Sequence, residues 1–264
     1  MSLSQFEGLP VELLYEIQLY ALSEHLPHTS KRLYAVFKSA PTFLTAHYIY
    51  HRIPKGSKTS TDILNSILRY PICTAQTLQF IRTNLFLDDL TSNPELPKRL
   101  FRPLTTKKPP AKWRDTDHPL PFLEFLYDSD KLKIPAPNPN SHHGYALTKA
   151  VHVGFGELVK FLLERGATPK MEDRKKDGLT VMIAIRQKDL RMVKMLIERR
   201  DEEFRGTRKR GVNTGNKRRK MEDRISVTAE MLQMAVKCKA HDIAEYFMKE
   251  KGCVPDMKTL YMLS

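Results

Sequence analysis

Within residues 9–21, Leu13, Leu14, Ile17, Tyr20 and Ala21 recur at helical spacing, while Glu12 and Glu16 fall between them. Apolar residues repeating three and four positions apart predict an amphipathic helix with one apolar stripe. Pro10 stands at its first turn, where a missing N–H removes no intrahelical bond. The pattern continues in two shorter pieces, Leu33, Val36 and Phe37, then Phe43, Leu44, His47 and Ile49. Short helices over residues 8–50 enclose too little apolar surface for a sheltered core of their own. They are predicted to complete themselves against another surface, either a partner protein or the rest of this chain.

Further along, the apolar pattern repeats. Gly144, Ala150, Val159, Leu162 and Glu164 recur 34 residues later as Gly178, Ala184, Val193, Leu196 and Glu198. A third copy places Ala235, Ala244 and Phe247 a further 51 residues on from Ala184, Val193 and Leu196, so 17 residues are inserted between copies two and three. Each copy predicts two short helices. The first has a small Ala at its centre, where a neighbouring copy must approach closely; the second carries an apolar face such as Leu158, Val159, Phe161, Leu162 and Leu163. Gly166 is placed as a helix C-cap. A helix pair with two apolar sides cannot cover both alone, so the copies are expected to stack. The Met residues 182, 192, 195, 231, 234 and 248 fall at core spacings and read as packing.

Upstream, the same logic predicts two helices from Asp62 broken at Pro71, and one from Pro121 in which Leu123 and Leu126 occupy the positions of Val159 and Leu162. Between them, residues 93–117 hold Pro94, Pro97, Pro103, Pro109 and Pro110 and predict an irregular loop. Pro135, Pro137 and Pro139 mark a second break. The expected class is all-α, with a helical-repeat region over 59–264 interrupted by loops at 93–117 and 201–224.

The repeat resembles the ankyrin family. Copy one keeps Gly144, Leu147, Ala150, Gly154, Glu157, Leu158, Val159, Lys160, Leu162, Leu163, Gly166 and Ala167; copy two keeps Asp177, Gly178, Thr180, Ala184, Val193, Lys194 and Leu196. Both lack the full Thr-Pro-Leu-His tetrapeptide. The resemblance implies a solenoid that binds a protein through its turn tips and inner helices, which here would present His143, Tyr145, Lys176 and Leu179.

Residues 8–50 resemble an F-box: Leu9-Pro10, Glu12-Leu13-Leu14, Ile17, Leu22-Ser23 with Leu26, then Ser30-Lys31-Arg32-Leu33-Tyr34 followed by Ser39 and Pro41. Three residues expected in the middle are missing and Pro27 follows Leu26, so the middle helix is expected to be shortened. The resemblance implies docking on a Skp-type adaptor, and through it a cullin, by Leu9, Pro10, Leu13, Leu14, Ile17 and Leu26. The alternatives to docking are that the stripe caps the solenoid end, since terminal repeats need covers, and, behind that, that it lies in some other protein's groove.

Composition changes this picture in one respect. The 264-residue chain is 41% hydrophobic and 28% charged, as folded proteins are, but its formal net charge is +14. Seven basic residues without an acid lie between Lys98 and Arg114, and eight between Arg205 and Lys220, so the excess resides in two loops. The run Lys217, Arg218, Arg219, Lys220, among Gly206, Gly211 and Gly215, has the form of a nuclear import signal; a plain solvated loop is the alternative. Only Phe101 and Trp113 interleave aromatics with the basic residues, which gives base stacking little to work with. Specific nucleic-acid binding is not expected.

No segment reaches the roughly 18 apolar residues that span a bilayer, and the start lacks a secretory pattern. Cys73, Cys238 and Cys253 form no CxxC pair, so neither a disulfide framework nor a zinc site is expected. Neither a nucleophile elbow nor a phosphate loop appears, and the adjacent His142 and His143, with His152, form no constellation, so neither catalysis nor a cofactor is expected. The expectation is a substrate-recognition subunit of a Skp–cullin–F-box ubiquitin ligase in nucleus or cytoplasm. The alternative is a basic ankyrin scaffold that holds an acidic protein or nucleic acid in the nucleus.

Overall fold

A computed structural model describes residues 5–53, 56, 59–85, 92–105, 119–128, 132–170, 177–199 and 223–263. The described residues are all-helical, apart from one isolated parallel bridge between Glu95 and Asn138. No described helix is long and apolar enough to cross a membrane. The chain divides into two compact units, one from Met1–Arg99 with His118–Asn138 and the other from Leu100–Asp117 with Pro139–Ser264. Residues 1–50, read from the sequence as a separate segment, thus share the first unit with the helices that follow them.

In the first unit the helices are α1 (Val11–Ala21), α2 (Lys31–Lys38), α3 (Thr42–His51), α4 (Ser60–Arg69), α5 (Ala75–Asn84) and α6 (Leu120–Tyr127). The expected short middle helix is a single 3-10 turn, Leu26–His28. Side-chain caps set several starts: the Ser30, Thr59 and Thr74 hydroxyls accept from the N–H groups of Leu33, Asp62 and Thr77. Helix α3 packs on α1 and α5, and α5 on α6. Leu14, Ala46, Ile49, Leu64, Ile67, Leu68, Ile81 and Leu123 are completely buried. Each such aliphatic residue larger than Ala contributes about 1.5–3 kcal/mol through burial.

The stretch read as an irregular loop with a basic cluster holds buried residues on both sides of the boundary between the units. In its described part, Leu96, Phe101 and Leu104 are buried, and the Glu95 N–H donates to Asn65 Oδ1 at 2.8 Å. Arg99, counted among the basic loop residues, sends Nε to the Leu68 carbonyl, Nη1 to Pro71 at 3.5 Å and Nη2 to Cys73 at 3.1 Å. It thereby satisfies carbonyls left open where α4 ends. Its charge is used inside the fold. Phe101, fully buried, offers no face to a nucleic-acid base.

The second unit holds α7 (Ser141–Val153), α8 (Gly156–Glu164), α9 (Leu179–Arg186), α10 (Leu190–Ile197), α11 (Ala229–Lys237), α12 (His241–Glu245, prolonged as a π turn over Tyr246–Glu250) and α13 (Met257–Leu263). Helices α7, α9 and α11 pack side by side in that order, each against its own following helix, and α10 touches both α8 and α12. The apolar positions matched in the sequence are buried, whereas the matched Glu164 is exposed and Glu198 half-buried. Ala150, Ala184 and Ala235 are inaccessible, as are Val159 with Val193, and Leu162 with Leu196 and Phe247.

The turns repeat as well. Within the three pairs the connecting N–H groups of Phe155, Asp189 and Ala240 reach back to the carbonyls of Ala150, Ala184 and Ala235, at 3.0, 3.2 and 2.9 Å. The residue before each is left-handed: Gly154 (φ 76°), Lys188 (φ 57°) and Lys239 (φ 54°). That bond and that conformation close the helix end by satisfying its last carbonyls.

Candidate docking surfaces

Helix α1 presents two different faces. At about 100° per residue, Leu13, Ile17 and Tyr20 share one side and Leu14 with Gln18 another. Leu14 and Gln18 turn inward and are buried, whereas Val11, Leu13 and Tyr20 are 36%, 44% and 88% exposed and Ile17 is half-buried. The single stripe read from the sequence is therefore split, because residues 13 and 14 lie a quarter turn apart. Of the residues expected to meet an adaptor, Leu13 and Pro10 are exposed, Leu9, Ile17 and Leu26 are half-buried, and Leu14 belongs to the core of its own unit. Phe43, at the start of α3, is also half exposed.

The turn after α1 is fixed by a polar network centred on Ser23. Leu22 adopts a left-handed conformation (φ 48°) and its N–H returns to the Gln18 carbonyl at 2.9 Å. The Ser23 carbonyl accepts from Gln18 Nε2 at 2.7 Å and from the Tyr48 hydroxyl at 3.0 Å, while its own hydroxyl accepts from the N–H groups of His25 and Leu26, each at 3.2 Å. Arg52 then donates Nη1 to the Tyr48 oxygen at 2.8 Å and Nη2 to Glu24 at 3.2 Å. Helix α1 is thus held by its C-terminal end as well as by Leu14.

In the second unit, His143, Tyr145 and Leu179, the described residues expected to line a protein-binding face, lie at the starts of α7 and α9, two helices that pack together. His143 is exposed, Tyr145 half-exposed and Leu179 exposed. His142, His143 and Gly144 form three consecutive left-handed residues, with φ of 56°, 58° and 63°. Such a conformation costs a non-glycine residue about 1–2 kcal/mol. Asn140 braces this entry: its Nδ2 donates to the Gly166 carbonyl at 3.1 Å and its Oδ1 accepts from the Thr168 N–H at 2.9 Å. Lys176 and the import residues Lys217, Arg218, Arg219 and Lys220 lie outside the described residues.

Sequence reasoning passed over two features. Helix α13 turns Met257, Leu260, Tyr261 and Met262 outward. In the first unit, α1, the 3-10 turn, α2, α3 and the turn at Tyr70–Ile72 enclose a cleft of about 550 Å³. No local pattern signals the cleft, since its walls come from residues 18–72. Among the described residues no group of three His, Cys, Asp or Glu side chains is placed to hold a metal ion.

Comparison with protein-family models, with curated proteins and with solved structures returned no match.

Proposed function

We propose that the first helices dock on a Skp-type adaptor, and through it a cullin, while the stacked helix pairs behind them hold a substrate protein for ubiquitin transfer. In this reading the chain does no bond chemistry; it supplies proximity. The observation that carries it is the outward apolar side of α1, where Leu13 and Tyr20 are exposed although Leu14 on the same helix is sealed. The F-box resemblance of residues 8–50 and the registered burial at Ala150, Ala184 and Ala235 support it further. Substrate contact is assigned to His143, Tyr145, Lys176 and Leu179. The basic run Lys217–Lys220 is assigned to nuclear import.

The division of α1 into two faces makes a clean test available. Leu13→Asp combined with Tyr20→Asp places two charges on the outward side and leaves Leu14 and Gln18 in place. Co-purification with a Skp-type adaptor is expected to fall at least about tenfold, the size of effect associated with losing buried apolar anchors at an interface. Helical circular dichroism is expected to stay unchanged. Undiminished co-purification with the folded double variant would overturn the reading.

A further inference from the structure

The cleft in the first unit has the volume and the lining of a small-molecule site. Its roughly 550 Å³ lies within the range of about 300–1,000 Å³ usual for ligand pockets, which are mostly apolar with a few convergent polar groups. Phe37, Leu44, Tyr48, Tyr70, Pro71 and Ile72 supply apolar and aromatic wall. Two polar features converge on it. Gln18, only 4% exposed, lines the cleft; its Nε2 is taken by the Ser23 carbonyl, but its Oε1 is buried without a donor. A buried acceptor left unmatched is costly, so a donor brought to it from the cleft is stabilising.

The second feature is Arg52. Its guanidinium lies over the Tyr48 and Tyr70 rings, 5.6 and 5.9 Å from their centroids, and is one-fifth exposed. One of its terminal nitrogens is committed to Tyr48, but the other meets only Glu24, a side chain 63% exposed that can swing into water. An incoming anion can take Glu24's place at little cost. Lys38, also lining the cleft, adds a second positive charge.

We propose that this cleft binds a small aromatic acid, its ring between Tyr48, Tyr70 and Phe37, its anionic group on Arg52 in exchange for Glu24, and an N–H or O–H donor directed at Gln18 Oε1. Aromatic walls favour a planar body through ring stacking. The guanidinium favours an oxyanion through charge-assisted hydrogen bonds. The proposal is independent of adaptor docking, because it uses the Gln18 side of α1 and not the Leu13 side.

The probe is 8-anilinonaphthalene-1-sulfonate, which combines two aromatic ring systems, one sulfonate and one N–H, titrated by fluorescence into the full-length protein. Saturable one-to-one binding is expected, and N-phenyl-1-naphthylamine, the same body without the anion, should bind about tenfold more weakly for loss of one charge-assisted hydrogen bond. Gln18→Met should weaken the sulfonate probe several-fold, and Ala40→Trp or Thr45→Phe, which fill the cleft, should abolish its binding. Glu24→Gln removes the competing carboxylate from an exposed position and should tighten binding; a general apolar surface or a loosened core would not respond in that direction. Binding unmoved by both cleft-filling variants, equal affinity for the two probes, or binding unchanged or weakened by Glu24→Gln would overturn the proposal. Should a filling variant fail to fold, Glu24→Gln and the probe pair still decide it.

Discussion

Three residues at one repeat position show how local conformation and stability connect. Gly154, Lys188 and Lys239 all close a helix in the left-handed region, which glycine visits freely and lysine does not. Lys188→Gly is expected to raise stability by about 0.5–1 kcal/mol, read as a higher urea midpoint at unchanged slope. Gly178 makes the opposite case through its φ of 68°; an added Cβ would also sit 2.3 Å from Met231 Cε, the flexible end of a side chain that would have to move aside. Gly178→Ala is therefore expected to destabilise by about 1–2 kcal/mol, and the same titration checks it. Cys73 links burial to pH. Desolvation pushes its thiol up to about 11 from an ordinary value near 9, with neighbouring Arg99 pulling weakly the other way. A folded-state value above the unfolded one means that stability is complete below pH 9 and drains away as pH rises toward 11 and beyond. The stability difference between the native chain and Cys73→Ala is expected to shrink by roughly 2 kcal/mol from pH 8 to pH 11; a constant difference would show that the thiol is not held neutral.

At the scale of elements, what the sequence revealed and what it hid have separate causes. The 34-residue spacing was legible because the residues that recur, Ala150 with Ala184 and Leu162 with Leu196, are the ones that must be buried where helix pairs pack. The breaks at Pro71 and the helices on either side of it were legible for the same local reason. Helix α1 was read correctly as a helix but its faces were merged, because hydrophobicity marks Leu13 and Leu14 alike and passes over Gln18, a polar residue that occupies the inner face beside Leu14. Arg99 was read as loop charge because nothing near it in sequence announces the carbonyls of Leu68 and Cys73, 31 and 26 positions away. The cleft was invisible for a related reason. Its chemistry arises only when Gln18, Arg52 and Tyr70 are brought together, and no spacing rule relates them.

At the scale of the whole molecule, the two functional readings differ in the force that would hold a partner. Removing the first 50 residues is a poor way to separate them: α3, most of which lies within those residues, packs on α5, and Leu44, Ala46 and Ile49 are core to the first unit, so a truncation would unfold what it is meant to test. Ionic strength acts on the intact chain instead. An adaptor complex resting on Leu13 and Tyr20 is held by buried apolar surface, so it is expected to keep its affinity within about twofold between 0.1 and 0.5 M NaCl, where the screening length has already fallen below 10 Å. A complex made by the basic runs near Lys107 and Lys217 with an acidic protein or nucleic acid would lose several counterion-releasing contacts, and its affinity would drop by orders of magnitude over the same range. Partners captured from cells with the full-length protein at both salt concentrations, in parallel with the Leu13→Asp/Tyr20→Asp variant, sort accordingly. A partner that resists salt and is lost with the variant belongs to the outward face of α1, whereas one that is stripped by salt and indifferent to the variant belongs to the basic loops and favours the scaffold reading.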